Sequence, residues 1–147
     1  MDEQSTQILL VEDNLADAEL IRRLFARVGQ RNWQMVHVET LAEGIEVCYE
    51  FTELMKGNRS FDVVLLDLSL PDAEGLEAIQ AFQSALPEIP IVVLTGLGDE
   101  DLASQAIRAG AQNYLVKDET TIQQLMRAIL SARNRTDVNP RYRDSHD

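Results

Sequence analysis

Five short apolar runs, separated by longer segments of helical period, set the limits on what this chain can fold into. They are Ile8 to Val11, Gln34 to Val38, Val63 to Leu66, Ile91 to Leu94 and Tyr114 to Val116. Three of them are almost unbroken Ile, Leu and Val. A strand with one wet face alternates apolar with polar residues, so unbroken runs of this length indicate parallel strands covered on both sides. The second run does alternate, which places it at a sheet edge. Between the runs, Ala18, Ile21, Phe25 and Val28 share one helical face, with Gly29 as a stop. Leu41, Ile45, Cys48 and Met55 trace a longer second helix that ends at Gly57. Leu76, Ile79, Phe82 and Leu86 mark a third, closed by Pro87, and a fourth runs to Gly110 from Asp99, Glu100 and Asp101, where the helix dipole favours negative charge. Ile122, Leu125, Met126, Ile129 and Leu130 form the clearest stripe and the last helix.

Strand and helix thus alternate five times. Right-handed crossovers put helices on both faces of a parallel sheet, and five such units predict an α/β, flavodoxin-like, doubly wound five-stranded sheet of order 2-1-3-4-5 with five helices. A chain of 147 residues holds one domain of this kind. The domain is expected over residues 1–133, with its core over about 7–133. Residues 134–147 lack apolar period and mix Arg135, Arg141 and Arg143 with Asp137, Asp144 and Asp147, as in a polar, disordered tail. A net charge of −12 repels phosphate backbones and anionic membranes, which argues against direct nucleic-acid or membrane binding. The polar stretch Met1 to Gln7 has no signal core, and no apolar run approaches the roughly 20 residues that span a bilayer, so a cytoplasmic location is expected. Cys48 stands alone within an apolar stripe and reads as a buried thiol, and in the cytoplasm the sequons at Asn58 and Asn134 carry no meaning.

Polar residues of several kinds stand at the carboxyl ends of four strands: Glu12 and Asp13, Asp67, Thr95, and Lys117. That edge of an open α/β sheet is where ligands bind, at the crevice where strand order reverses, here between the first and third strands. Singly, each has a plainer reading as a helix cap, a strand end or a solvated charge. Together they converge on one crevice. Three crowded carboxylates repel one another unless a cation joins them, and an all-oxygen donor set favours Mg²⁺. Asp67, at the rim of a central strand and followed by Leu68, Ser69, Leu70 and a turn at Pro71, is the best nucleophile for an in-line phosphoryl transfer. Lys117 would supply an ammonium, and Thr95 a hydroxyl, to the phosphoryl oxygens.

Glu12-Asp13, Asp67 with Pro71 four residues on, Thr95-Gly96, and Tyr114 three residues before Lys117 together resemble the receiver domains of two-component response regulators, over about residues 7–133. The resemblance implies Asp67 as phosphoacceptor. It implies Asp13, Asp67 and the Ser69 backbone carbonyl as Mg²⁺ ligands, with Glu12 acting through a metal-bound water. Lys117 and Thr95 would bind the phosphoryl group, and Thr95 with Tyr114 would form a switch pair, although a packed strand residue is an equal reading of Tyr114. It further implies a histidine kinase or histidine phosphotransfer protein as donor, and no turnover of an external substrate beyond the domain's own phosphorylation and dephosphorylation. A downstream protein is expected on the face made by the fourth helix, fifth strand and fifth helix.

Several features depart from that pattern. The family has proline after the lysine, whereas this chain has Asp118, and the stretch Glu39 to Ser60 is longer than usual. The acidic pair and Pro-Phe of winged-helix regulators are missing around the fifth strand. Without proline a cis bond costs about 2.5 to 4 kcal/mol, so a trans Lys117-Asp118 peptide is expected, with residues 118–120 rearranged and Thr120 or Thr121 capping the last helix. Two other readings compete. A phosphatase of the haloacid dehalogenase type would place its nucleophile on the first strand and an acid where Ser69 stands, and a receiver-like scaffold that only binds would not need the intact constellation.

Overall fold

The computed structural model describes residues 5–28, 33–54, 60–96 and 98–146, with Val28 and residues 135–146 described by backbone alone. The elements in chain order are β1 (Thr6–Val11), α1 (Leu15–Val28), β2 (Trp33–Val38), α2 (Leu41–Leu54), β3 (Val63–Leu66), β4 (Ser69–Leu70), β5 (Ala73–Glu74), α3 (Leu76–Ala85), β6 (Ile91–Thr95), α4 (Glu100–Ala109), β7 (Asn113–Val116) and α5 (Ile122–His146), with a 3-10 turn over Lys117–Glu119 before the last. Five of the strands form one parallel sheet in the order β2-β1-β3-β6-β7. This is the expected 2-1-3-4-5 order, because β4 and β5 form a separate antiparallel hairpin immediately after the phosphoacceptor candidate.

Both faces of the sheet are covered, as the unbroken runs require. Side chains alternate along each strand. Leu9, Val11, Val64, Leu66, Ile91 and Val93 face one core, shared with Phe82, Ile79 and Cys48 of α2 and α3. Ile8, Leu10, Val63, Leu65 and Val92 face the other, shared with Ile21 and Phe25 of α1 and with Leu125 and Ile129 of α5. The alternating run, β2, lies at an edge, with Gln34 and Val36 exposed. Trp33 opens this strand at the amino edge of the sheet, its ring set edge-on to Phe25 at 5.3 Å. Gly44 lets α2 approach β1, since a Cβ there would meet Val11 Cγ2 at 3.2 Å.

Local chemistry sets the helix ends. The Asp99 carboxylate accepts from the amides of Asp101 and Leu102, and Gly110, at φ 124°, ends α4 in a conformation that other residues rarely adopt. Thr121 and Gln124 form a reciprocal capping box, the Gln124 amide donating to Thr121 Oγ1 and the Thr121 amide to Gln124 Oε1. Thr120 instead donates its hydroxyl to the Val116 carbonyl at 2.7 Å. No peptide among the described residues is cis, so the bond after Lys117 is trans, as its cost without proline predicts. The helical backbone of α5 continues to His146, past residue 133 where the apolar period stops. The last buried side chain described on it is Ala132. The stops expected at Gly29 and Gly57, and Met55, lie outside the described residues.

The amino end of α2 has two caps. Thr40 Oγ1 accepts from the Glu43 amide, and Asp72, in the β4–β5 turn, accepts from the amides of Leu41 and Ala42 at 2.9 and 3.0 Å. Burial works the other way, but these amide donors hold the Asp72 pKa below its ordinary value of 3.8. Asp72→Ala is expected to lose about 1 kcal/mol at neutral pH, as the loss of a helix cap does. The contribution is full above the ordinary aspartate pKa and is lost as pH falls through the lowered folded value. Denaturant melts of the two proteins should therefore differ at pH 7 and converge in strong acid.

Candidate functional site

Four of the five parallel strands deliver polar groups to the carboxyl edge of the sheet. Glu12 follows β1 and is fixed by its neighbours: its backbone amide donates to the Val38 carbonyl at 3.0 Å, its Oε2 accepts from the Asn14 amide at 3.1 Å, and its carbonyl oxygen lies 2.7 Å from His37 Nε2. Asp67 follows β3, and its amide donates to the Val11 carbonyl at 3.1 Å, which ties the two strand ends together. The Asp67 Oδ1 accepts from the Ser69 amide at 3.3 Å. Glu12 and Asp67 are buried and Asp13 is exposed, yet one oxygen from each lies within 4.8 Å of the others. Three oxygen donors at this separation, two of them shielded from water, can hold a divalent cation, and among the described residues no softer histidine or thiolate donor joins the group.

Lys117 enters from the end of β7 and serves as the counter-ion. Its Nζ lies 2.6 Å from Glu12 Oε1, 2.8 Å from Asp17 Oδ2 and 3.4 Å from Asp67 Oδ2. Burial disfavours its charge, but the hydrogen bonds to Asp17 and Glu12 and the field of Asp67 outweigh that cost and raise its pKa above the ordinary lysine value. Glu12 responds differently. Burial, aided by the Asp67 charge, pushes its pKa up to about 7 even though Lys117 pulls it down. One ammonium is thus shared among three carboxylates, and the most deeply buried of them is the one whose charge burial most disfavours.

Thr95 ends β6 fully buried, in register with Val116, so Lys117 is the next residue along the neighbouring strand. Tyr114 is half-buried and pairs with Val93, placing it against the core on the α3 and α4 side. Burial first, and then the negative charge of Asp99, raise its phenol pKa. Strand alternation puts Thr95 on the same face as Tyr114, whereas Lys117 belongs to the face covered by α1 and α5. The crevice is therefore reached from both layers. Glu12, Asp13, Asp67 and Lys117, all expected from the sequence, are brought together, and Thr95 and Ser69 flank them on adjoining segments.

Asp17 was not expected there. It lies in the first turn of α1, where its amide donates to Asn14 Oδ1 at 3.0 Å. The signal was available, since α1 begins at the carboxyl edge of β1 and Asp17 precedes Ala18, the first core-facing residue of the helix. A first-turn acid beside a strand-end site can reach it.

A family model described as the response regulator receiver domain matches residues 8–130. The methanogenesis regulatory protein FilR1 of Methanothrix harundinacea is 35% identical over 119 residues, a match that covers 80% of this chain, while the chain spans only 25% of that protein's length. Among solved structures, a response regulator receiver domain protein from Clostridium thermocellum is similar with a TM-score of 0.73 and 30% identity, over 90% of this chain and 98% of that one. The receiver domain of sensor histidine kinase PA1611 from Pseudomonas aeruginosa PAO1, with a magnesium ion coordinated in its active site cleft, has a TM-score of 0.69 at 21% identity, over 89% of this chain and 99% of that one. With the strand order, the acidic crevice and the lysine beside it, these likenesses establish that the chain belongs to the receiver domains of response regulators.

Proposed function

We propose that this receiver domain accepts a phosphoryl group on Asp67 with the help of Mg²⁺ and responds by a change of conformation around β6, α4 and β7. The observation that carries the reading is the Lys117 ammonium beside a buried Asp67 carboxylate that shares its crevice with Glu12 and Asp13. In the transfer, an Asp67 oxygen attacks the phosphorus of a phosphohistidine. The new P–O bond forms as the P–N bond breaks, and the departing imidazole takes a proton from water. Mg²⁺, when bound, would neutralise charge on the phosphoryl oxygens. Asp13, Asp67 and the Ser69 carbonyl would hold it, with Glu12 acting through a coordinated water, and the magnesium in the PA1611 receiver supports this choice of cation.

Lys117 would donate to one phosphoryl oxygen and Thr95 to another. Tyr114, on the same face as Thr95, would then follow the threonine and pass the change to α4. The donor is read as a histidine kinase or histidine phosphotransfer protein, and the output partner as one that docks on α4, β7 and α5. Receiver domains are signalling modules rather than enzymes acting on outside substrates, and only self-phosphorylation and dephosphorylation are assigned to this one. A domain limit near residue 133 is supported by the end of the family match at 130 and by Ala132 as the last buried side chain described. No helix among the described residues is long and apolar enough to cross a membrane, in keeping with a cytoplasmic role.

Acetyl phosphate with Mg²⁺ should label the protein once, and mass mapping should place the label on Asp67. Asp67→Asn should abolish labelling while circular dichroism stays unchanged, and full labelling of that variant would refute the assignment.

Glu12 makes cation binding depend on pH. In the cation-free chain its neutral form contributes stability that is full below about 4.5 and gone once pH passes about 7. A bound Mg²⁺ favours the carboxylate, so binding near pH 6 should release close to one proton, and affinity should rise with pH and level off above 7. Calorimetry in buffers of different ionisation enthalpy would measure that proton. Its absence at pH 6 would show that Glu12 is already ionised without the cation.

A further inference from the structure

Lys117 has three N–H donors and three carboxylate neighbours, and its longest contact is the one to the residue it is meant to serve. At 3.4 Å the Asp67 contact is at the outer limit of a hydrogen bond, while Glu12 at 2.6 Å and Asp17 at 2.8 Å hold the ammonium closely. A phosphoryl oxygen on Asp67 would need one of those donors. The two close partners differ in how readily they can be released. The Glu12 side chain is 2% exposed, and moving the ammonium away would leave a buried acid without its hydrogen-bond partner. The Asp17 side chain is 38% exposed, and water can replace the lysine there at little cost.

We propose that Asp17 is a positioning residue: it competes with Asp67 for Lys117, holding the ammonium the more closely of the two in the resting domain, and yields it when a phosphoryl group arrives. The proposal rests on the reading of Asp67 as phosphoacceptor. Asn14 caps the turn that carries Asp17, so the carboxylate is presented from a fixed helix end. Beside the ion pair opens a cavity of about 280 Å³ whose lining includes Asp17, Leu20, Lys117, Asp118 and Ile122, so the lysine is not tightly packed on that side. Asp118, where the family has proline, lies in the wall of the same cavity. The latch opposes activation by the worth of one partly exposed ion pair.

The test uses beryllofluoride as a phosphoryl stand-in at saturating Mg²⁺, with wild type, Asp17→Asn and Asp17→Glu compared after thermal melts confirm folding. The isosteric Asp17→Asn should bind about two- to fivefold more tightly, the range of such a pair, and Asp17→Glu, which keeps the charge, should stay near wild type. The chain has two lysines, Lys56 and Lys117, so selective ¹⁵N labelling of lysine gives a direct view of Nζ. In Asp17→Asn the resting Lys117 signal should lie displaced toward its beryllofluoride-bound position. Equal or weaker binding by Asp17→Asn, or a Lys117 signal that this change does not move, would overturn the latch. If wild type itself takes up no beryllofluoride, the phosphoacceptor reading fails first and the latch with it.

Discussion

A parallel sheet buried on both faces has nowhere to put a polar side chain except at the ends of its strands, and this constraint organises the molecule. Val63 to Leu66 are wholly buried, as are Ile8 to Val11 and Ile91 to Leu94, so Asp67, Glu12 and Thr95 mark the points at which each central strand leaves the core. Because all five strands of the sheet run the same way, those points lie on one edge. Because strand order reverses between β1 and β3, the edge opens into a crevice there. The site is thus a consequence of the burial that stabilises the fold.

Collecting carboxylates in this way creates an electrostatic problem that the chain resolves only in part. Lys117 offsets one charge and spreads itself over three acceptors. The Glu12 pKa is raised chiefly by burial of its side chain, and the nearby Asp67 charge adds to that shift. A site left in deficit of positive charge is suited to recruiting a cation, and a lysine shared among several acceptors is suited to changing partners.

The loop after β7 illustrates how local rules and site geometry were reconciled. Asp118 replaces the family proline, and the backbone keeps the trans peptide, turns once as a 3-10 helix and starts α5 on a Thr121–Gln124 capping box. Lys117 nevertheless faces Glu12 and Asp67, because β7 is held in register with β6 up to Val116 and so sets where the next residue emerges. Register, more than the isomer of the following peptide, aims the lysine.

The strand order, the two-layer cover, the edge position of β2, the acidic start of α4 at Asp99, a cap on α5 from Thr120 or Thr121, and the meeting of Glu12, Asp13, Asp67 and Lys117 were all legible in the sequence. Each follows from a pattern carried by neighbouring residues: apolar period, cap chemistry, or a polar residue directly after a buried run. Three things came to light only in the folded chain. The β4–β5 hairpin and its Asp72 cap on α2 join residues 31 apart in the chain. Asp17 meets Lys117 across 100 residues, and no local period marks such a pairing. The helical backbone of α5 runs on to His146 although its apolar stripe stops near 133, since helix continuation needs only backbone hydrogen bonds while the stripe records what is packed. Sequence period therefore determined which surfaces are buried and which strand ends carry charge to one crevice, and the folded chain alone determined which further side chains reach it and at what distance, because separation through space has no signature in local composition.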